Sequence, residues 1–192
     1  MIIAKEGEKM AKFICPEGTI QAVAYDVWDL GMQKTNFQNE DGEDIVQHKV
    51  KIAWELIETI DEPASEYDGK RYAINKDYTL SLGEKATLRK DIESWRGQSF
   101  KENELKGFDV ESIIGSNCLL SIVHNTSKKG KVYAKVGNVV KLPKNMTAIV
   151  PENKRSLPDW IKKIQAQSVE VNEKYEAAKS DVGSDKEEQI PF

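Results

Sequence analysis

Several features that define common classes of protein are scarce or missing in this sequence. Cysteine occurs only at Cys15 and Cys118, too few for a disulfide framework, so a reducing cytoplasm is the expected compartment. No stretch approaches about 18 consecutive apolar residues, so no membrane span is expected. The opening residues, MIIAKEGEKM, lack the long apolar core of a secretory signal peptide.

The motifs of common catalytic and metal sites are also missing. No GxSxG, Walker or Rossmann glycine pattern occurs. His48, His124 and the two cysteines are scattered, without the CxxC or HxxxH spacing of zinc ligands. Carboxylates are plentiful, but no pair stands out from a solvated surface. We therefore predict no enzyme, no metal and no other cofactor, while a catalytic centre assembled from distant residues stays open.

Charge is abundant, and it is divided unevenly along the chain. Charged residues make up 31% of the 192 residues, and the formal net charge is -4. The segment from Cys118 to Lys163 holds ten bases and two acids, whereas residues 173–192 hold three bases and six acids. A basic segment followed by an acidic tail indicates two different partners.

Hydrophobic patterning predicts five strands with one helix after the third. The first three strands are GTIQAVAYDVWDL, IVQHKVKIAWELIE and RYAINKDYTLSL, separated by polar loops at 31–43 and 61–70. A helix is expected from about Gly83 to Trp95, with a capping box of Ser81 and Glu84 and a stop at Gly97. CLLSIVHN and KVYAKVGNVVKLP then predict a hairpin. LPDWIKKIQAQSVEVNEKY can form an amphipathic helix, and no core-forming pattern follows from about residue 177.

This order of elements is that of an OB-fold, a partly open barrel of five strands that binds oligonucleotides or oligosaccharides. We expect a mainly β protein: an OB-fold barrel with a helix between strands three and four, a C-terminal helix and a disordered acidic tail. The predicted boundaries are 1–172 for the nucleic-acid-binding domain and 173–192 for the tail. Another small α+β barrel with the same order remains an alternative.

Basic and aromatic residues on the predicted strands indicate a surface for single-stranded nucleic acid. Lys131, Tyr133 and Lys135 alternate with apolar residues, so two cations flank one ring on an outward face. A lysine can pair with a phosphate while a ring stacks on a base, although a solvated strand face would show the same pattern. The predicted nucleic-acid-binding residues are Lys34, Lys49, Lys51, Arg71, Tyr72, Lys76, Lys128, Lys129, Lys131, Tyr133 and Lys135.

The last residues, SDKEEQIPF, resemble the C-terminal tip of bacterial single-stranded DNA-binding proteins. In that family the tip follows an OB-fold and a disordered tail and recruits replication, recombination and repair proteins. A terminal Phe with a free carboxylate can enter an apolar pocket while a basic residue binds the carboxylate. The residues that match, and that we expect to bind such partners, are Asp185, Glu187, Glu188, Ile190, Pro191 and Phe192. Lys186 and Gln189 depart from the usual run of acids.

The rest of the chain is unlike the bacterial housekeeping protein. DLGMQKTNF and YTLSLGEKATLRKDIESWRG resemble single-stranded DNA-binding proteins of phages and integrated mobile elements, over roughly residues 18–143. The resemblance implies a protein that coats single-stranded DNA in the cytoplasm of a bacterial host. A strand-annealing factor, a DNA-processing enzyme that uses the tail for recruitment and an oligosaccharide-binding domain are the alternatives. The preference for DNA over RNA and the oligomeric state, a homo-oligomer included, stay open.

Overall fold

The computed structural model describes residues 13–168 and residue 173. It contains five strands and short helices in the order β1 (Gly18–Gln38), β2 (Asp44–Thr59), β3 (Arg71–Thr79), α1 (Thr87–Arg96), α2 (Glu102–Leu105), a 3-10 helix (Val110–Ile113), β4 (Asn117–Thr126) and β5 (Val132–Lys141). A last helix, α3, spans 159–168. The prediction of a mainly β protein with five strands and a helix between the third and fourth is confirmed.

The first hairpin is longer than the sequence pattern predicts. Residues 31–43 are expected to form a loop, but β1 continues to Gln38, paired with β2 at Met32–His48 and Gln33–Gln47. Gly31, with a φ of 67°, lies at a register shift, so this glycine marks a bulge within the strand and not its end. The chain reverses later, where Asn39 Oδ1 accepts hydrogen bonds from the backbone of residues 41 and 43.

The third strand ends earlier and the first helix starts later than predicted. The Ser81 hydroxyl accepts a hydrogen bond from Gly83 N in a local turn, so the expected capping box does not form. Ala86 is the N-cap and provides no side-chain hydrogen bond. The predicted stop is confirmed, because Gly97 adopts the left-handed conformation and its N–H bonds to Glu93 O.

The strands form one antiparallel sheet in the order β3-β2-β1-β4-β5. The predicted closure into a barrel is not observed, since no hydrogen-bonded ladder joins β3 to β5 in the described strands. The two edges nevertheless approach each other, because Lys76 Nζ on β3 donates to Gly137 O on β5 at 3.0 Å. Four antiparallel pairings in a row leave β3 and β5 running in the same direction.

Helix α1 packs on the inner face of the sheet. Its buried face consists of Leu88, Ile92 and Trp95, as the helical spacing predicts. Trp95 lies against Trp54 of β2 with ring centroids 5.9 Å apart, and both are buried. The main core therefore lies between the curved sheet and this helix, and it is continuous with the 3-10 helix.

Helix α3 covers the outer face of β1 and β2. Ile161 is buried there against Trp28 and Ala53, and Trp160 packs edge-on against Trp28. The segment 142–158 leads to this helix and is held by two buried carboxylates. Asp26 accepts from Ser156 N at 2.9 Å, and Glu55 accepts from Glu152 N at 2.8 Å. Of the helices in the described ranges, none is long and apolar enough to span a membrane.

Candidate nucleic-acid interface

An open groove runs between the facing edges of β3 and β5 and has a volume of about 1130 Å³. We call it the basic groove, because four lysines and two carboxylates line it. Its walls come from β2, β3, the segment between β3 and α1, and β5. The charged residues of the lining are Lys49, Lys76, Lys85, Lys135, Asp77 and Glu84.

The β5 wall carries the ring and the cation that alternation predicts. Tyr133 is 42% exposed and Lys135 is exposed, whereas Val136, the next residue along the strand, is buried in the core. This alternation follows from the period of two in a strand. Lys135 forms no ion pair with any residue in 13–168, so its charge faces the groove uncompensated.

The opposite wall holds a lysine among neutral hydrogen-bonding groups. Lys49 Nζ donates to Gln47 Oε1 at 2.8 Å and to Thr79 Oγ1 at 2.7 Å. Gln47 lies two residues away on the same strand, and Thr79 lies opposite Lys49 in the β2–β3 register. Because both partners are uncharged, the position of the ammonium group is defined while its charge remains available to an anion.

The floor of the groove is a partly buried polar network. Lys76 Nζ and Tyr78 Oη both bond to Asp91 Oδ2 of α1, at 2.7 and 2.8 Å. Burial and the charge of Asp91 raise the pKa of Tyr78 far above its ordinary value, so the phenol stays protonated and donates. Lys76, a predicted nucleic-acid contact, therefore already has its ammonium group bound within the protein.

Three other predicted basic residues lie outside the groove and have protein partners. Lys51 forms an ion pair with Asp77 and sits over the Trp160 ring. Lys34 pairs with Asp44 on the exposed hairpin. Arg71 binds Val150 O and the carboxylate of Glu152 and is within 3.5 Å of Glu55.

The remaining predicted residues lie beyond one end of the groove. Lys128 and Lys129 are exposed in the β4–β5 turn. Lys131 and Tyr72 line a second cavity with a volume of about 920 Å³. The structure thus brings Lys49, Lys76, Tyr133 and Lys135 together in the basic groove, and it separates the other predicted residues from it.

Sequence reasoning missed the polar residues of the groove. Asn75 and Thr79 share the outer face of β3, and the alternation of that strand was the signal that could have found them. Lys85 lies in a segment assigned to the helix, so its exposure beside the groove could not be anticipated. Gln47 was predicted only to lie on a strand. Its place in the groove depends on the pairing of β2 with β3, which brings Thr79 beside it.

The predicted partner-binding tip, Asp185 to Phe192, lies outside the described residues.

The two histidines do not lie together. His48 bonds to Asp29 Oδ1 at 2.7 Å and His124 bonds to Cys15 O at 2.8 Å, far from each other in the sheet register. No cluster of three or more His, Cys, Asp or Glu side chains suited to a metal ion occurs within 13–168 together with residue 173.

Comparison with known proteins provides no family assignment. No family model matches the chain. No curated protein matches it significantly either.

Proposed function

We propose that this protein binds single-stranded DNA in the basic groove and does so as an OB-fold. The strand order β3-β2-β1-β4-β5, with a helix between β3 and β4, supports the fold assignment. An OB-fold is a partly open Greek-key barrel that binds its ligand beside strands two and three and the hairpin loops. The facing edges of β3 and β5, bridged by the hydrogen bond from Lys76 to Gly137 O, correspond to the open seam of such a barrel.

The observation that carries the proposal is the exposed ring of Tyr133 between cations on both walls of one groove. Lys135 lies on the same strand, and Lys49 lies on the opposite wall. Proteins that bind single strands combine a positively charged groove along the phosphates with rings on which bases stack. Both parts are present here within one surface, and three strands supply them.

The charge distribution favours a single strand over a duplex. The chain is acidic overall, and its groove also carries the carboxylates of Asp77 and Glu84. Duplex binding relies on many phosphate contacts across a broad basic face. A groove with one stacking ring needs fewer phosphate contacts, because unpaired bases contribute stacking energy as well.

The biological role follows from the resemblance of the sequence. The protein coats single-stranded DNA during the replication and recombination of a phage or mobile element in the bacterial cytoplasm. Residues 185–192 recruit replication, recombination or repair proteins, and acids upstream of Phe192 speed the encounter with a basic partner. The groove is basic and the tail is acidic, which supports DNA binding by the groove and protein binding by the tail.

The test is a titration of fluorescent single-stranded DNA, duplex DNA and RNA of equal length at two salt concentrations. The parent protein should bind the single-stranded DNA more tightly than the duplex. Tyr133→Ala should weaken binding by about 1–3 kcal/mol, the usual contribution of one stacked base, whereas the control Tyr133→Phe keeps the ring and should bind like the parent.

A matched pair of lysine variants tests the phosphate contacts. Lys135→Ala should weaken binding and reduce the slope of log affinity against log salt by about one. Lys106→Ala removes an exposed lysine outside the groove and should leave that slope unchanged. Equal binding by Tyr133→Ala, Lys135→Ala and the parent, with all three folded, would rule out the basic groove as the binding surface.

A further inference from the structure

The second cavity continues the basic groove along the same seam. Residues 71–73 of β3 and Lys131 line the cavity, whereas residues 75–79 of β3 and 133–136 of β5 line the groove. Because β3 and β5 run in the same direction, both strands pass from the cavity into the groove in the same order. The distance between residues 72 and 77 along a strand is about 16 Å.

The lining of the cavity combines three aromatic rings with three cations, Lys70, Arg71 and Lys131, and one acid, Glu152. Phe13, Tyr67 and Tyr72 contribute rings, and the Phe13 and Tyr67 centroids are 5.9 Å apart in an edge-to-face arrangement. Tyr67 is 40% exposed. The ammonium group of Lys70 lies 5.0 Å from the centroid of the Tyr67 ring, so a cation already sits beside the aromatic surface. Such a lining suits a flat, uncharged ring system.

We propose that this aromatic cavity is a second base-binding site for the same DNA strand that occupies the basic groove. The proposal rests on the proposed function and extends it to the path of the strand. The seam places Tyr133 and the cavity on one line. One strand can therefore stack a base on Tyr133 and place another base, a few nucleotides away, against Tyr67 and Tyr72.

Charge on the two sides of the cavity sets the orientation of the strand. The β4–β5 turn contributes Lys128, Lys129 and Lys131, and no acid lies between residues 127 and 135. The loop on the β3 side carries four acids before Lys70: Asp61, Glu62, Glu66 and Asp68. The phosphates therefore follow the β5 side, and the bases point towards β3.

The aromatic rings favour a nucleobase over an acidic peptide as the occupant. The lining holds Lys70, Arg71 and Lys131, but Arg71 is already paired with Glu152. The four acids of the adjoining loop repel an acidic segment such as residues 185–192. A nucleobase carries no charge and stacks on the rings.

Oligonucleotides of different lengths distinguish binding in the basic groove from binding in the aromatic cavity. Oligo-dT is titrated into the parent, Tyr67→Ala and the ring-preserving control Tyr67→Phe, at lengths from about four to sixteen nucleotides, the range covered by one OB-fold. The shortest oligonucleotides fill the groove alone and should bind all three proteins equally. Longer ones should bind Tyr67→Ala about 5- to 150-fold more weakly, the loss expected for one stacked base.

A second measurement uses the unmodified chain and so does not depend on how the variants fold. Oligo-dT with a single 5-iodouracil is irradiated in complex with the parent, and the crosslinked peptides are identified. One position should crosslink to Tyr133, and positions a few nucleotides away should crosslink to Tyr67 or Tyr72.

The outcomes distinguish the two proposals. Absence of DNA binding at every length would overturn the proposed function. Binding that depends on Tyr133 but not on Tyr67 at any length, with no crosslink in the cavity, would overturn this inference alone. A labelled peptide of sequence SDKEEQIPF that crosslinks to Tyr67, where oligo-dT gives no crosslink, would show that the cavity binds the tail segment instead.

Discussion

Lys76 Nζ lies 2.7 Å from Asp91 Oδ2, so an ion pair connects β3 to α1 beneath the basic groove. The same ammonium group donates to Gly137 O and thereby connects both to β5. Only 15% of each side chain of the pair is exposed. This contact therefore bridges the two edge strands, which no hydrogen-bonded ladder joins in the described strands.

We expect Lys76→Met to destabilise the fold by about 3 kcal/mol, because it leaves the carboxylate of Asp91 without its cation in a site that is mostly buried. Urea unfolding measures the loss. The double variant Lys76→Met with Asp91→Asn removes both charges, keeps an acceptor for Tyr78 Oη and should recover most of it. The salt dependence of DNA binding should match that of the parent. A slope reduced by about one would show that Lys76 contacts a phosphate.

The packing of α1 leads to a second prediction. Leu88 is 1% exposed, so Leu88→Ala should lower the free energy of unfolding by roughly 2–5 kcal/mol through lost burial and a new cavity. Lys90→Ala on the exposed face of the same helix serves as the control and should change stability by less than about 0.5 kcal/mol. Thermal unfolding of the two variants would contradict the described packing if their midpoints agreed.

Gly31 provides a third prediction, because helix α3 leaves no room for a side chain there. A Cβ at this position would lie 2.0 Å from Ser168 Oγ, and φ is 67°. Gly130, with a φ of 75° and no atom within 4 Å of where a Cβ would lie, is a control for backbone strain alone. Gly130→Ala should cost about 1–2 kcal/mol. Gly31→Ala should cost a further 1–3 kcal/mol or so from overpacking. Equal losses in chemical denaturation would show that α3 does not pack at Gly31.

The tail leads to a fourth prediction, which concerns partners and not DNA. Deleting residues 190–192 should abolish capture of a replication protein in a pull-down, and Phe192→Ala should weaken it strongly, because the ring is the expected anchor. Binding to single-stranded DNA should survive both changes, since the groove is untouched. Phe37→Ala, which removes an exposed ring on the first hairpin, is the control and should leave capture intact. Unchanged capture by both tail variants would remove the recruiting role of the tip.

Removing the acidic stretch from Asp181 onward tests the effect of the tail on DNA binding. The deletion takes away Asp181, Asp185, Glu187 and Glu188 along with a single lysine, so the net charge rises by three. Affinity for single-stranded DNA should stay level or rise, because fewer negative charges compete for the groove. Fluorescence anisotropy at low salt measures the change. A marked loss of affinity would mean that the tail takes part in binding DNA.

Local patterns in the sequence determined most of the elements. Alternation predicted β2 and β5 nearly to their ends, and helical spacing predicted the buried face of α1. These features depend only on the spacing of the buried apolar residues, which is every second residue in a strand and about every 3.6 residues in a helix. The predicted boundaries that are wrong are those that depend on pairing with residues far away in the sequence. Gly31 looked like the end of a strand, yet pairing with β2 carries β1 past it to Gln38.

The candidate site also has some features that the sequence predicted and others that only the tertiary structure decided. Alternation on β5 sufficed to predict an exposed Tyr133 beside Lys135. It could not distinguish Lys49, held by neutral groups with its charge available, from Lys76 and Arg71, whose cationic groups are bound by carboxylates and backbone carbonyls. The partners of Lys76 are Asp91 and Gly137, far along the chain, and only the tertiary structure brings them within hydrogen-bonding distance. A sequence therefore shows which side chains are charged and which strand face they occupy, whereas the availability of each charge depends on the neighbours that folding places beside it.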